Sequence, residues 1–321
     1  MAEGRIPRQN QSDGSQSAVD PGPEFVSEQS PSRADALTLR DFAQDPEVDP
    51  AELGAPCPRL ISAAPNLTEI CAALGLAPRL VGRTRYCTHP PAVLDVPSIG
   101  ALNDLNLERV VELRPELILV SGNSRMISER LERARLKFIS TPDTRLDDLF
   151  AAITLVGQRC GRPLTAARLA ASIREQLDQV AERHEAARHA AAPGVRVLVL
   201  TAPLTDPPNQ VDCAGPGSFY DDLLRLAGHA NAAASSGRAF AQVSLEYVLE
   251  QDPEVIIELA PDASARPGGD ADARRVWAKV GPLRAVRAGR VHVLVGPEHF
   301  LLGPRVARTF EALCRAIAGA P

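Results

Sequence analysis

Tyr86-Cys87-Thr88-His89-Pro90-Pro91 puts a phenol, a thiol and an imidazole within four positions, and Glu298-His299-Phe300 sets a second imidazole between a carboxylate and a ring. Imidazole and thiolate are what borderline transition metals bind, so Cys87, His89 and His299 are the residues a protein-held metal would use. They make no metal motif. The six cysteines (Cys57, Cys71, Cys87, Cys160, Cys213 and Cys314) contain no CxxC pair of the kind a zinc knuckle needs, and no metal site is expected. Disulfides are possible but the spacing argues for no framework, and packed thiols are the expected role of the cysteines. Cys87 and His89 also lie too close in sequence to form a nucleophile and its base without a third group to orient the imidazole. GxSxG, P-loop and HExxH patterns are absent. The residues supply no catalytic constellation, and the chain is expected to be no enzyme. His184 and His189 are five apart, do not share a helix face as an i,i+4 pair would, and are expected to be solvated.

Such residues need elements to hold them. Leu60-Ile61 is a strand ending at Pro65; Asn66 or Thr68 can cap a helix through Leu74, with Gly75 as its stop. "RLVGRT" after Pro78 is a second strand, and the Pro90-Pro91 turn follows. "ELILVSG" (116–122) is a buried strand, a helix lies near 124–136, and "KFIST" (137–141) is another strand. Short apolar strands alternating with helices predict parallel strands in an α/β sheet. A helix over 145–160 stops near Gly161. From Pro163, about 28 residues of good helix formers run without glycine or internal proline. At 1.5 Å per residue this is roughly 40 Å, long for one lobe but suited to a connector lying along two. The strand–helix pattern then restarts with "GVRVLVLTAP" (194–203), a helix in 217–233 ending at Gly228, "EVIIELAP" (254–261), "RVHVLVG" and a closing helix in "GPRVARTFEALCRAIAG". The expected fold class is α/β: two lobes with parallel-type sheets and one long backbone helix joining them. The expected division is a tail over 1–56, a lobe over 57–161, the connecting helix over 162–192 and a second lobe over 193–321.

One phrase occurs twice. "LERVVELRPELI" (107–118) and "LEYVLEQDPEVI" (245–256) agree at seven of twelve positions. In each, Asn106 or Ser244 caps a two-turn helix, Pro115 or Pro253 ends it, and a strand follows. Glu108 and Glu246 occupy the second helical position, where the helix dipole favours a carboxylate. A capping box would put the acid one place later, where Arg109 and Tyr247 stand. Neither glutamate therefore needs to fold back onto its cap, and the pair suits a two-point docking surface.

The 321-residue chain is 45% hydrophobic and 23% charged, with a net charge of −5, the profile of a water-soluble globular protein. Residues 1–56 hold eleven acidic and four basic residues, a balance of −7, which leaves +2 for the remainder. That is no electrostatic footprint for nucleic acid. The first 56 residues are too polar to offset their ordering entropy and are expected to be disordered. They show no apolar signal region, and Pro56 before Cys57 does not suit a lipoprotein cleavage site. The expected location is therefore cytoplasmic.

"RLISAAPNLTEICAALGL", "VGRTRYCTHPP" and "LNLERVVELRPELILVSG", followed by the long helix, resemble the class III periplasmic substrate-binding proteins of ABC importers, the cobalamin- and ferric-siderophore-binding helical-backbone metal receptors. The resemblance covers about 58–318. It implies a corrinoid or ferric chelate as ligand, no required cofactor, and a monomer docking on importer membrane subunits through Glu108 and Glu246. It also implies a ligand cleft between the lobes, with contacts from loops facing the other lobe: Pro65, Asn66, Tyr86, Cys87, His89 and Asn103 in the first lobe, and Asp206, Pro207, Glu298, His299 and Phe300 in the second. Tyr86 matches the family's aromatic that packs on a cobalamin-type ligand, and His89 or His299 is conceivable as an axial imidazole. A cytoplasmic corrinoid or metal-chelate sensor or carrier is the alternative reading of a chain that shows no export signal.

Overall fold

The computed structural model describes residues 57–101, 104–122, 125–188 and 194–319. In the first lobe the main strands are β1 (Leu60–Ser62), β2 (Leu80–Arg83), β5 (Leu117–Ser121) and β6 (Phe138–Thr141), all parallel in the order β2-β1-β5-β6. The central strands β1 and β5 are buried on both faces, and the edge strands β2 and β6 only in part. A two-stranded β3 (Gly100–Ala101) and β4 (Asp104–Leu105) lies apart. Helices α1 (Pro65–Ala73), α2 (Leu107–Glu112), α3 (Arg125–Arg133) and α4 (Leu146–Arg159) alternate with the strands.

The long helix α5 spans Pro163–Ala187, shorter than the expected 162–192; residues 189–193 lie outside the described ones. Proline at its first turn costs no hydrogen bond. Ala166, Leu169, Ala170, Ile173, Leu177, Val180 and His184 form its single buried stripe. The burial of His184 corrects the expectation that it is solvated; His189 is outside the described residues.

The second sheet contains β7 (Arg196–Leu200), β8 (Val211–Ala214), β9 (Ala230–Asn231), β10 (Phe240–Val243), β11 (Val255–Ala260) and β12 (Val291–Val295). Its order is β10-β8-β7-β11-β12, with β9 beside β7. β7, β11 and β12 are parallel, as the strand–helix alternation predicts. β8 and β10 are antiparallel additions that the proline-rich stretch around 203–216 conceals. Helices α6 (Phe219–Leu226), α7 (Leu245–Gln251), α8 (Gly269–Trp277), α9 (Arg284–Arg287) and α10 (Val306–Ala318) complete the lobe.

Strand side chains alternate between faces, and the core divides accordingly. Leu117 and Leu119, Val197 and Val199, and Val255, Ile257 and Leu259 join the stripe of α5 in one cluster that runs through both lobes. Ile118 and Val120 face a separate layer with Ile127 and Leu131, while Leu198, Leu200 and Ile256 face another with Trp277. Two lobes that share a close-packed core around one helix have little freedom to hinge. Among the described residues no helix is long and apolar enough to cross a membrane.

Candidate functional site

In α/β sheets ligands gather at the carboxyl ends of the strands, and the first lobe ties three such ends together. Pro65 occupies the first turn of α1, whose N-cap is Ala64. Asn66 is therefore not the cap: it is inside the helix and 7% exposed. Its Nδ2 donates to Ser121 Oγ at 2.9 Å, and Ser121 Oγ donates to Asp143 Oδ2 at 2.9 Å. The loops after β1, β5 and β6 thus share one polar chain.

The loop after β2 carries the tyrosine. Cys87 N–H donates to the Thr84 carbonyl, and the Cys87 sulfur contacts Thr84 Oγ1 at 3.0 Å. Cys87 is fully buried. This turn spends the thiol on packing, which corrects its expected place among ligand contacts, and leaves the neighbouring Tyr86 side chain outside. Tyr86 is 60% exposed, with the Arg85 guanidinium 5.2 Å from its ring centroid. His89 follows, before a cis bond to Pro90. Burial and the charges of Arg305 and Arg308 push its imidazole down to about 4, Glu298 opposing. His89 is therefore neutral at pH 7 and lies beside side chains of the second lobe. Asn103 lies outside the described residues.

Between the lobes is a pairing that sequence reasoning missed. Glu69 of α1, 2% exposed, accepts from Arg305 Nε at 3.0 Å and from Nη2 at 2.6 Å. Arg305 also stands 3.9 Å from Glu298. Burial opposes the charge on Arg305, but its hydrogen bonds to Glu69 and the charges of Glu69 and Glu298 outweigh it and hold the guanidinium above its ordinary value. Gly303 packs against Asn66 and Glu69. The partners are 236 positions apart, so no local pattern announces them.

His299 does not present its ring as expected. It is 8% exposed, its Nδ1 is 3.3 Å from Thr309 Oγ1, and its carbonyl accepts from the Tyr220 hydroxyl. Phe300 packs partly against the main core. The same Tyr220 makes an edge-on contact with Phe240, ring centroids 6.4 Å apart, and Phe240 is 47% exposed on β10. Phe240 is a second outward ring beside the loop after β12. Its one signal in the sequence is an aromatic residue shortly ahead of the second copy of the repeated phrase.

Asp206 and Pro207 are not drawn into this group. Asp206 is held by Lys279 Nζ at 2.6 Å and Arg275 Nη1 at 2.9 Å, which keep its carboxyl below the usual range. The loop before it is anchored by buried Glu258, which accepts from Leu204 N–H, Trp277 Nε1 and Arg266 Nε. These contacts all stay within the second lobe.

Glu108 and Glu246 are exposed on helices whose caps form as expected: Asn106 Oδ1 accepts from Arg109 N–H, and Ser244 Oγ accepts from Tyr247 N–H. Glu246 differs from expectation in folding back. Its own backbone N–H and the Ser244 hydroxyl hold its carboxyl below the ordinary value. Among the described residues no three His, Cys, Asp or Glu side chains are placed to hold a metal ion.

A model of the family described as "Periplasmic binding protein" matches residues 60–295. The chain is 28% identical over 204 residues to the vitamin B12-binding protein of Pectobacterium atrosepticum, covering 62% of this chain and 70% of that one. It is 25% identical to an uncharacterised ABC transporter substrate-binding lipoprotein of Bacillus subtilis, covering 81% and 79%. A crystal structure of a periplasmic heme-binding protein from Pseudomonas aeruginosa superposes with a TM-score of 0.69 at 26% identity, covering 82% of this chain and 93% of that one. These matches overturn the cytoplasmic location: the family is periplasmic and one relative is a lipoprotein. The tail on which that expectation rested, residues 1–56, lies outside the described residues.

Proposed function

The chain belongs to the periplasmic binding protein family, and on that premise we propose that it captures a planar metal chelate of the corrinoid or heme type, or a ferric siderophore, between its lobes for an ABC importer. The observation that carries this reading is the outward ring of Tyr86, held out by the Thr84–Cys87 turn and flanked by Arg85. Phe240 supports it as an exposed ring on the other lobe. An exposed aromatic offers a flat apolar face to a macrocycle, and Arg85 suits its anionic side groups. The relatives' ligands, vitamin B12 and heme, are macrocycles of this kind.

Glu108 and Glu246 are the docking pair of this proposal, one exposed carboxylate at the same place in each lobe's repeated helix. In this proposal His89 belongs to the first-lobe wall, and Glu298 and Phe300 to the second.

The test is a titration of the purified chain with cyanocobalamin, hemin and a ferric hydroxamate, repeated with Tyr86→Ala. Truncating a central aromatic in a binding site costs about 2 kcal/mol or more, so whichever ligand binds should weaken about thirtyfold or more. A ligand held equally well by wild type and Tyr86→Ala would overturn the assignment of the site.

A further inference from the structure

Two cysteines meet where the segment entering β1 passes the end of α4. Cys160 is the C-cap of α4 and fully buried. Cys57 donates its thiol to the carbonyl of Arg159, the residue before Cys160, at 3.3 Å. Both pack on the core that runs through the two lobes. Arg79 Nη1 donates to the Cys160 carbonyl at 3.1 Å, which fixes the backbone at this end of the helix. Of the six cysteines only Cys57 is partly exposed; the other five are buried.

We infer that Cys57 and Cys160 are a disulfide-forming pair, closed in an oxidising compartment and open in a reducing one. With the Cys57 sulfur at the peptide bond that joins Arg159 to Cys160, a side-chain rearrangement at this helix end brings the two sulfurs to the bonding distance of about 2.05 Å. Exported proteins meet the oxidising conditions under which such bonds persist. In closing, two thiols lose two protons and two electrons to the disulfide of a thiol–disulfide oxidoreductase, which leaves as its dithiol. The bond ties position 57 to position 160 and encloses the first lobe in one loop of about 100 residues, and a crosslink closing so long a loop takes more freedom from the unfolded chain than one closing a short loop.

Timing follows from burial. In the folded thiol state, burial and the neighbouring Cys57 push the Cys160 thiol up to about 12. The thiolate is the attacking species, so closure belongs to folding, before Cys160 is enclosed, and is slow afterwards.

The test uses the full chain, refolded in a glutathione redox buffer, then denatured and alkylated without reductant. Mass spectrometry should count four alkylated thiols and find one peptide joining Cys57 to Cys160. Six alkylated thiols, or a bond between any other pair, overturn the proposal. Cys57→Ser alters the more exposed partner and should give five alkylated thiols. Added reductant should lower the melting temperature of the wild type by several degrees and leave that of Cys57→Ser unmoved. A Cys57→Ser protein that still responds to reductant also overturns it. No ligand enters these measurements, so their outcome is separate from that of the binding proposal.

Discussion

Arg305→Ala removes the cation that Glu69 needs. Glu69 is 2% exposed, and both its oxygens are taken up by Arg305, at 3.0 and 2.6 Å. Stranding one partner of a buried ion pair costs about 3–5 kcal/mol, whereas replacing both with apolar groups of similar size is often neutral. The Arg305 side chain is 15% exposed, so some water can reach the vacated space, and we expect about 3 kcal/mol from urea unfolding at pH 7. Glu69→Leu combined with Arg305→Met should recover most of that loss. The pH dependence separates a stranded charge from lost packing. Burial raises the folded Glu69 carboxyl above its ordinary value, and more so without Arg305. A raised folded pKa favours folding below the unfolded carboxylate pKa, and that stability is lost as pH rises through the folded value. The deficit of Arg305→Ala should therefore be full at pH 7 and shrink as pH falls toward the ordinary carboxylate range. A loss below about 1 kcal/mol, or a deficit independent of pH, would refute the role given to this pair.

Three further outcomes are expected. His184 Nε2 and His229 Nε2 are 2.8 Å apart, and Val195 N–H donates to His229 Nδ1, so His229 carries its proton on Nε2 and donates to His184. Burial, then the neighbouring His184 and arginines, pushes His229 down to about 4. The unfolded chain gains protons first as pH falls below about 6.5, so stability should drop by about 2 kcal/mol from pH 6.5 to 4, a slope that thermal melts of His229→Asn should show flattened. At Gly157 an added Cβ would lie 2.3 Å from Ala166 Cβ and 2.9 Å from the Arg162 carbonyl. Gly157→Ala should therefore force α4 and α5 apart and cost about 1–3 kcal/mol in a melting experiment. Glu108→Ala with Glu246→Ala should leave ligand affinity unchanged and weaken coupling to a reconstituted importer, since both side chains are exposed; unchanged transport would remove the docking role.

The fold was legible where local pattern decides it. Apolar runs marked β1, β5, β7 and β11, and asparagine or serine three residues before Arg109 and Tyr247 marked two helix starts that the caps bear out. β8 and β10 were not legible, because four-residue antiparallel strands between prolines carry too short an alternation to register. The candidate site was legible in its loops but not in its side-chain directions. Tyr86 and Cys87 are neighbours, yet one is 60% exposed and the other fully buried, a difference set by the Thr84 turn. His299 was named for its imidazole, yet its carbonyl is what Tyr220 engages. Glu69 and Arg305 escaped notice because only the folded chain brings an α1 side chain to the start of α10.

The central claim is capture of a metal chelate between the lobes, and its most direct measurement is isothermal calorimetry of the wild-type chain against cyanocobalamin, hemin and a ferric hydroxamate. The account predicts saturable one-to-one binding of at least one of them, with a dissociation constant in the micromolar range or tighter. Absence of heat and of any spectral change across the whole panel would contradict it.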